Sequence, residues 1–176
     1  KQGDRVGLTA FDEKVTSYVP AGSTFPHLYG ILSTLENQKP GKKTSVARAL
    51  QDVFALHKRR GMLILISDLL DDPLAVFQAL DMFRHRRFEV ILFHVLHRYE
   101  LTLPPIESVN FVDAENGELI TARPDDISAS YERELRAYLD AMASGARARG
   151  IEYNLVNTAT PYSIALQKYL LHRSRR

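Results

Sequence analysis

The chain has 176 residues, which suits one domain at about 150 residues each. Its 23 Lys+Arg stand against 21 Asp+Glu, and 45% of its residues are hydrophobic. That ordinary globular balance excludes disorder, collagen-like repeats and a polybasic nucleic-acid arm, and the lack of Cys excludes disulfide scaffolds, thiol catalysis and Cys-based metal sites.

The longest apolar stretches, Met62 to Ile66 and Val90 to Leu96, fall far short of the about 20 residues of a spanning helix. The chain opens at Lys1 without an initiator Met or a signal-like segment, so it reads as a piece of a longer protein. Its place is expected to be cytoplasmic, or membrane-associated through parts outside this chain.

The elements follow in order. Val6, Leu8 and Ala10 alternate with Gly7, Thr9 and Phe11 as on a strand, and Lys14 to Val19 alternates again. Asp12 and Glu13 make the turn of a hairpin. A helix is predicted from Pro26, capped by Ser23 or Thr24, with Leu28, Ile31, Leu32 and Leu35 as one apolar stripe. The loop Gly41-Lys42-Lys43 leads to a helix begun by Thr44 or Ser45. Val46, Leu50, Val53, Phe54 and His57 lie along one side of it, and Gly61 ends it.

Met62 to Ile66 is the continuous apolar run of a strand buried on both faces of a parallel sheet. Asp72 is the expected N-cap of a helix from Pro73, with Leu74, Phe77, Leu80 and Phe83 inward. Phe88 to Leu96 is a second buried strand. From Arg98 to Pro124 no helical period is visible, and the Asn116-Gly117 turn between Val109 to Phe111 and Leu119 to Thr121 predicts a hairpin. This excursion, about residues 98–123, leaves the main sheet. A long helix from Asp126 to Arg149 ends at Gly150, Ile151 to Val156 is a third parallel strand, and Thr160-Pro161 opens the last helix. Alternating strands and helices imply an α/β sheet, mostly parallel, with an antiparallel edge hairpin and helices on both faces.

Ligands of open α/β sheets sit beyond the carboxyl ends of the strands. Asp12 and Glu13, then Ser67, Asp68, Asp71 and Asp72, then His97 and Glu100, then Asn157 and Thr158 occupy such ends. Asp68, directly after five apolar residues, is the sharpest candidate. With the Thr44 hydroxyl it supplies the oxygen donors that a hard divalent cation takes. Both residues read equally as caps, Asp68 of a turn and Thr44 of a helix. Asp12, Ser67 and Asp71 are further rim candidates. The basic runs His57 to Arg60 and Arg84 to Arg87 are expected in last helical turns, where they complement the helix dipole. His94, inside a strand, is expected to be a satisfied core residue. The chain has no zinc-type His spacing, phosphate loop or nucleophile elbow.

Three segments in order, Asp4-Arg5-Val6-Gly7-Leu8-Thr9-Ala10-Phe11, Gly41-Lys42-Lys43-Thr44-Ser45-Val46-Ala47-Arg48-Ala49-Leu50 and Leu63-Ile64-Leu65-Ile66-Ser67-Asp68-Leu69-Leu70-Asp71-Asp72, resemble a von Willebrand factor A-like domain. With the segment Phe111 to Glu118, the chain resembles the C-terminal part of the bacterial domain of unknown function 58 family. The resemblance implies a Rossmann-like sheet across residues 1–176 whose first, central strand is missing from this chain. It also implies a metal-ion-dependent adhesion site for Mg²⁺ or Mn²⁺. Thr44 matches the second-loop Thr of such sites and Asp68 the third-loop Asp. The Asp-x-Ser-x-Ser loop is absent, so no metal or a weak one is expected in this chain. The implied function is protein–protein interaction, as an adaptor of a MoxR-type AAA+ ATPase, and not catalysis. Strand edges left without the central strand imply self-association. The competing reading is a metal-dependent phosphohydrolase or PIN-like nuclease drawing on Asp12, Asp68, Asp71 and Glu100. Convergence of three or four carboxylates on one point would favour it.

Overall fold

The computed structural model describes residues 3–39, 41, 45–103, 109–112, 119–122 and 124–173. Contacts divide the chain into two compact units, Lys1–Arg59 with Leu70–Met82, and Arg60–Leu69 with Phe83–Arg176.

In the first unit, β1 (Val6–Phe11) and β2 (Val15–Gly22) form an antiparallel hairpin. No Asn-Gly turn is needed. The Asp12 carboxylate accepts the Lys14 N–H at 3.1 Å while the Asp12 N–H donates to the Lys14 carbonyl at 3.0 Å. This is an Asx-type turn, the local use of a short acidic side chain. Helix α1 (Phe25–Glu36) starts where the capping residues placed it, with the Thr24 hydroxyl accepting the His27 N–H. Ile31 alone is buried, while Leu28, Leu32 and Leu35 are nearly half exposed and Phe25 is 73% exposed. Periodicity reveals an apolar face without saying what covers it. Helix α2 (Val46–Leu56) buries Val46, Ala49, Leu50 and Val53. It ends at His57 rather than Gly61, so His57 to Arg60 follow the helix instead of forming its last turn.

Helix α3 (Pro73–His85) is capped by Asp72, whose carboxylate accepts the Leu74 and Ala75 N–H groups. Val76, Phe77, Ala79, Leu80 and Phe83 are buried, while Leu74 is 61% exposed. From Phe83 onward its residues count with the second unit.

The second unit holds a parallel sheet of β3 (Met62–Ser67), β4 (Glu89–Leu96) and β7 (Glu152–Asn157), in the order β3-β4-β7. β4, with partners on both sides, buries Val90 through His94 and Leu96. Successive residues of β4 point to opposite faces. Phe93 meets Tyr169 of α6 (Tyr162–Arg173) edge-on at 5.5 Å, and His94 meets Tyr138 of α5 (Pro124–Ala148) edge-on at 6.1 Å. Helices therefore cover both faces, and the arrangement is an α/β one of Rossmann-like kind. At the end of α5, Gly150 takes φ +63°, and the Gly150 and Ile151 N–H groups turn back to the Arg147 and Ala146 carbonyls. Only glycine adopts that left-handed stop without steric cost.

β3 departs from expectation. Met62, Ile64 and Ile66 share one face and are 44%, 49% and 66% exposed, while Leu65 is buried. A strand at the sheet's edge in the described ladder lies at the margin of the covering helices, however apolar its sequence. The segment read as non-helical contains a single turn, α4 (Arg98–Leu101), built on a capping box between His97 and Glu100. The predicted hairpin is β5 (Val109–Val112) with β6 (Leu119–Ala122), antiparallel; its Asn116-Gly117 turn lies outside the described residues. Among the described residues no helix is long and apolar enough to cross a membrane.

Candidate functional site

In the second unit, β3 delivers Ser67 and Asp68 to its carboxyl end. Five apolar residues form the strand, and the chain turns just beyond it. It does so at Leu69, a fully buried residue with φ +54°. A non-glycine side chain in the left-handed region is held there only by its surroundings. Three contacts supply that hold. The Ser67 hydroxyl accepts the Leu69 N–H at 3.0 Å, and the same hydroxyl donates to the Asp68 carboxylate at 3.3 Å. The Tyr138 hydroxyl of α5 donates to the Leu69 carbonyl. Asp68 is thus a half-buried carboxylate on a tied-down strand end, with a hydroxyl beside it.

Beneath this loop lies His94, the register partner of Ser67 across the β3–β4 ladder. It is fully buried. Its Nδ1 stands 2.8 Å from the Tyr153 hydroxyl, and its ring meets both Tyr153 and Tyr138 edge-on. Its Nε2 has no hydrogen-bond partner. Burial pushes the imidazole below its ordinary pKa, outweighing the Asp68 main-chain carbonyl, the Asp68 carboxylate and Glu100, all of which favour the charged ring. Burial also pushes the Tyr153 phenol up to about 12, with Tyr138 adding to it. His94 is therefore a neutral, half-satisfied histidine and not the fully satisfied core residue expected. No local signal in the sequence joins it to Tyr138 and Tyr153, which come from a helix and a strand more than forty residues on.

In the first unit, two other rim candidates meet at the start of α2. Ser45, the N-cap, makes no side-chain cap bond. Instead the Asp71 carboxylate accepts the Ala47 N–H at 3.1 Å, and the Asp12 carbonyl accepts the Ser45 N–H at 3.3 Å. The first helical turn has free N–H groups and a partial positive charge, which an acceptor from elsewhere in the chain satisfies. Gly41 belongs here by contact. A Cβ built on it would stand 2.6 Å from an Asp12 carboxylate oxygen, so only glycine passes that close.

Ser67 and Asp68 lie together in the second unit, Asp12 and Asp71 together in the first, and Thr44 lies outside the described residues. His97 and Glu100 are occupied with each other in the α4 capping box, and Asn157 accepts the Ala159 N–H. Among the described residues no three His, Asp or Glu side chains come together as a metal cluster. The Ser67–Asp68 pair is an oxygen-only donor set that fits a hard cation such as Mg²⁺ better than zinc or copper.

A family model described as protein of unknown function DUF58 matches residues 1–141. No curated protein and no solved structure matches the chain. The chain belongs to the DUF58 family.

Proposed function

We propose that this DUF58 domain is a protein-docking module of von Willebrand factor A type, in which Asp68 takes part in holding Mg²⁺ or Mn²⁺ and a partner's carboxylate completes the ion's shell. The partner is a MoxR-type AAA+ ATPase for which the domain acts as adaptor. The observation that carries the reading is the fixed Ser67-Asp68-Leu69 strand end. It holds one carboxylate beside one hydroxyl. One carboxylate leaves a cation under-neutralised, and an under-neutralised cation attracts an acidic side chain from another protein. The chain's own residues bind and orient; when bound, the metal supplies the charge that recognises the partner.

The alternative, a two-metal phosphohydrolase or nuclease, needs several carboxylates around ions about 3.5–4 Å apart. The test is calorimetric titration of Mg²⁺ and Mn²⁺ into the wild type and Asp68→Ala, joined to pull-down of a MoxR-type ATPase with and without EDTA. The reading expects metal-dependent capture lost in Asp68→Ala. Capture indifferent to both metal and Asp68, or phosphodiester cleavage that depends on Asp68, refutes it.

A further inference from the structure

A buried polar atom without a partner calls for a reason, and His94 Nε2 is such an atom. Its other ring nitrogen is engaged 2.8 Å from the Tyr153 hydroxyl. The Tyr153 hydroxyl can donate to Nδ1 or accept from it; with the phenol donating, a neutral imidazole carries its hydrogen on Nε2. That N–H lies under the end of β3. His94 faces Ser67 in the ladder, and the main-chain carbonyl of Asp68 lies close enough to act on the ring. Tyr138 packs edge-on against the same ring and donates to the next carbonyl, that of Leu69. Tyr138 of α5 thus meets the main chain of the loop that carries the candidate ligand, His94 of β4 lies beside it, and Tyr153 of β7 reaches it only through His94.

We propose that Tyr153 and His94 form a buried relay that presents Nε2–H to the main chain of Asp68, making His94 a positioning residue for the Asp68 carboxylate. The proposal rests on the reading of Asp68 as a cation ligand and deepens it. Outer-shell partners that orient a ligand act on metal affinity without touching the metal. Cation binding at Asp68 and hydrogen bonding at Nε2 then report on each other.

The test uses the whole chain, with Tyr153→Phe and Asp68→Asn as variants. Tyr131→Phe, which removes a half-buried hydroxyl bonded to the Glu100 carbonyl instead, is the control. In the metal-free protein, imidazole ¹⁵N resonances are expected to show the Nε2–H tautomer. Tyr153→Phe should lose that preference and speed amide exchange at Asp68 and Leu69, while Tyr131→Phe does neither. With Mg²⁺, the His94 Nε2 resonance should move in wild type and stay still in Asp68→Asn. Mg²⁺ affinity should fall about tenfold in Tyr153→Phe. An Nδ1–H tautomer in the metal-free wild type, or Tyr153→Phe indistinguishable from Tyr131→Phe, overturns the relay whether or not metal binds. Wild type that binds no Mg²⁺ while showing the expected tautomer and exchange overturns the cation reading and leaves the relay standing.

Discussion

Asp71 offers a quantitative test of how the α2 end is built. Helix α2 lacks a side-chain bond from its own N-cap, Ser45, and takes its acceptor from Asp71, 24 residues downstream of Ala47, at 3.1 Å. The second Asp71 oxygen accepts the Asp72 N–H at 2.8 Å. Asp71→Ala removes the cap and the charge together. Loss of a cap costs about 1 kcal/mol, and loss of a negative charge at a helix N-terminus costs about 0.3–1 kcal/mol more. The sum is about 1.3–2 kcal/mol, or roughly a 3–8 °C fall in Tm for a chain of this size. Asp71→Asn keeps one oxygen for the Ala47 N–H but loses the charge and the acceptor facing the Asp72 N–H, so it costs more than the about 0.3–1 kcal/mol of the charge yet less than Asp71→Ala. Urea unfolding followed by far-UV circular dichroism measures both, with the midpoint moving at constant slope. An alanine variant within about 0.3 kcal/mol of wild type would show that the Asp71–α2 bond does not contribute. An asparagine variant as damaging as alanine would refute the division into cap and charge.

Ser67→Ala removes the hydroxyl that accepts the Leu69 N–H and donates to Asp68; a loss of about 0.5–1.5 kcal/mol is expected in urea unfolding, with faster amide exchange at Leu69. Ile64→Lys with Ile66→Lys places charges on the exposed face of β3; sedimentation velocity should show less self-association than wild type, at little cost in stability. Burial lowers the His94 pKa, so the unfolded chain binds more protons than the folded one from about pH 6.5 down to the folded pKa, and stability falls as pH drops through that window. His94→Phe should flatten this dependence in urea midpoints measured between pH 7 and pH 5.

Much of the architecture is written in short-range chemistry. Thr24 and Asp72 announce their helices because a hydroxyl or carboxylate beside free N–H groups acts within three residues. The apolar runs of β3 and β4 announce strands, and Gly150 announces the end of α5 through the one conformation only glycine takes freely. Asp68 at a strand end was visible for the same reason. What the chain alone left open is which apolar faces find a cover. Leu28, Leu32 and Leu35 keep helical period yet stand half exposed, and Ile64 and Ile66 stand exposed on a strand that reads as fully buried. Nor did any local pattern assign Asp71 to α2, or Tyr138 and Tyr153 to His94. Period and capping depend on neighbours within one helical turn or one strand repeat, which the order of residues specifies directly. Burial and long-range hydrogen bonds depend on which segments pack side by side, and that follows from the balance of all the contacts at once.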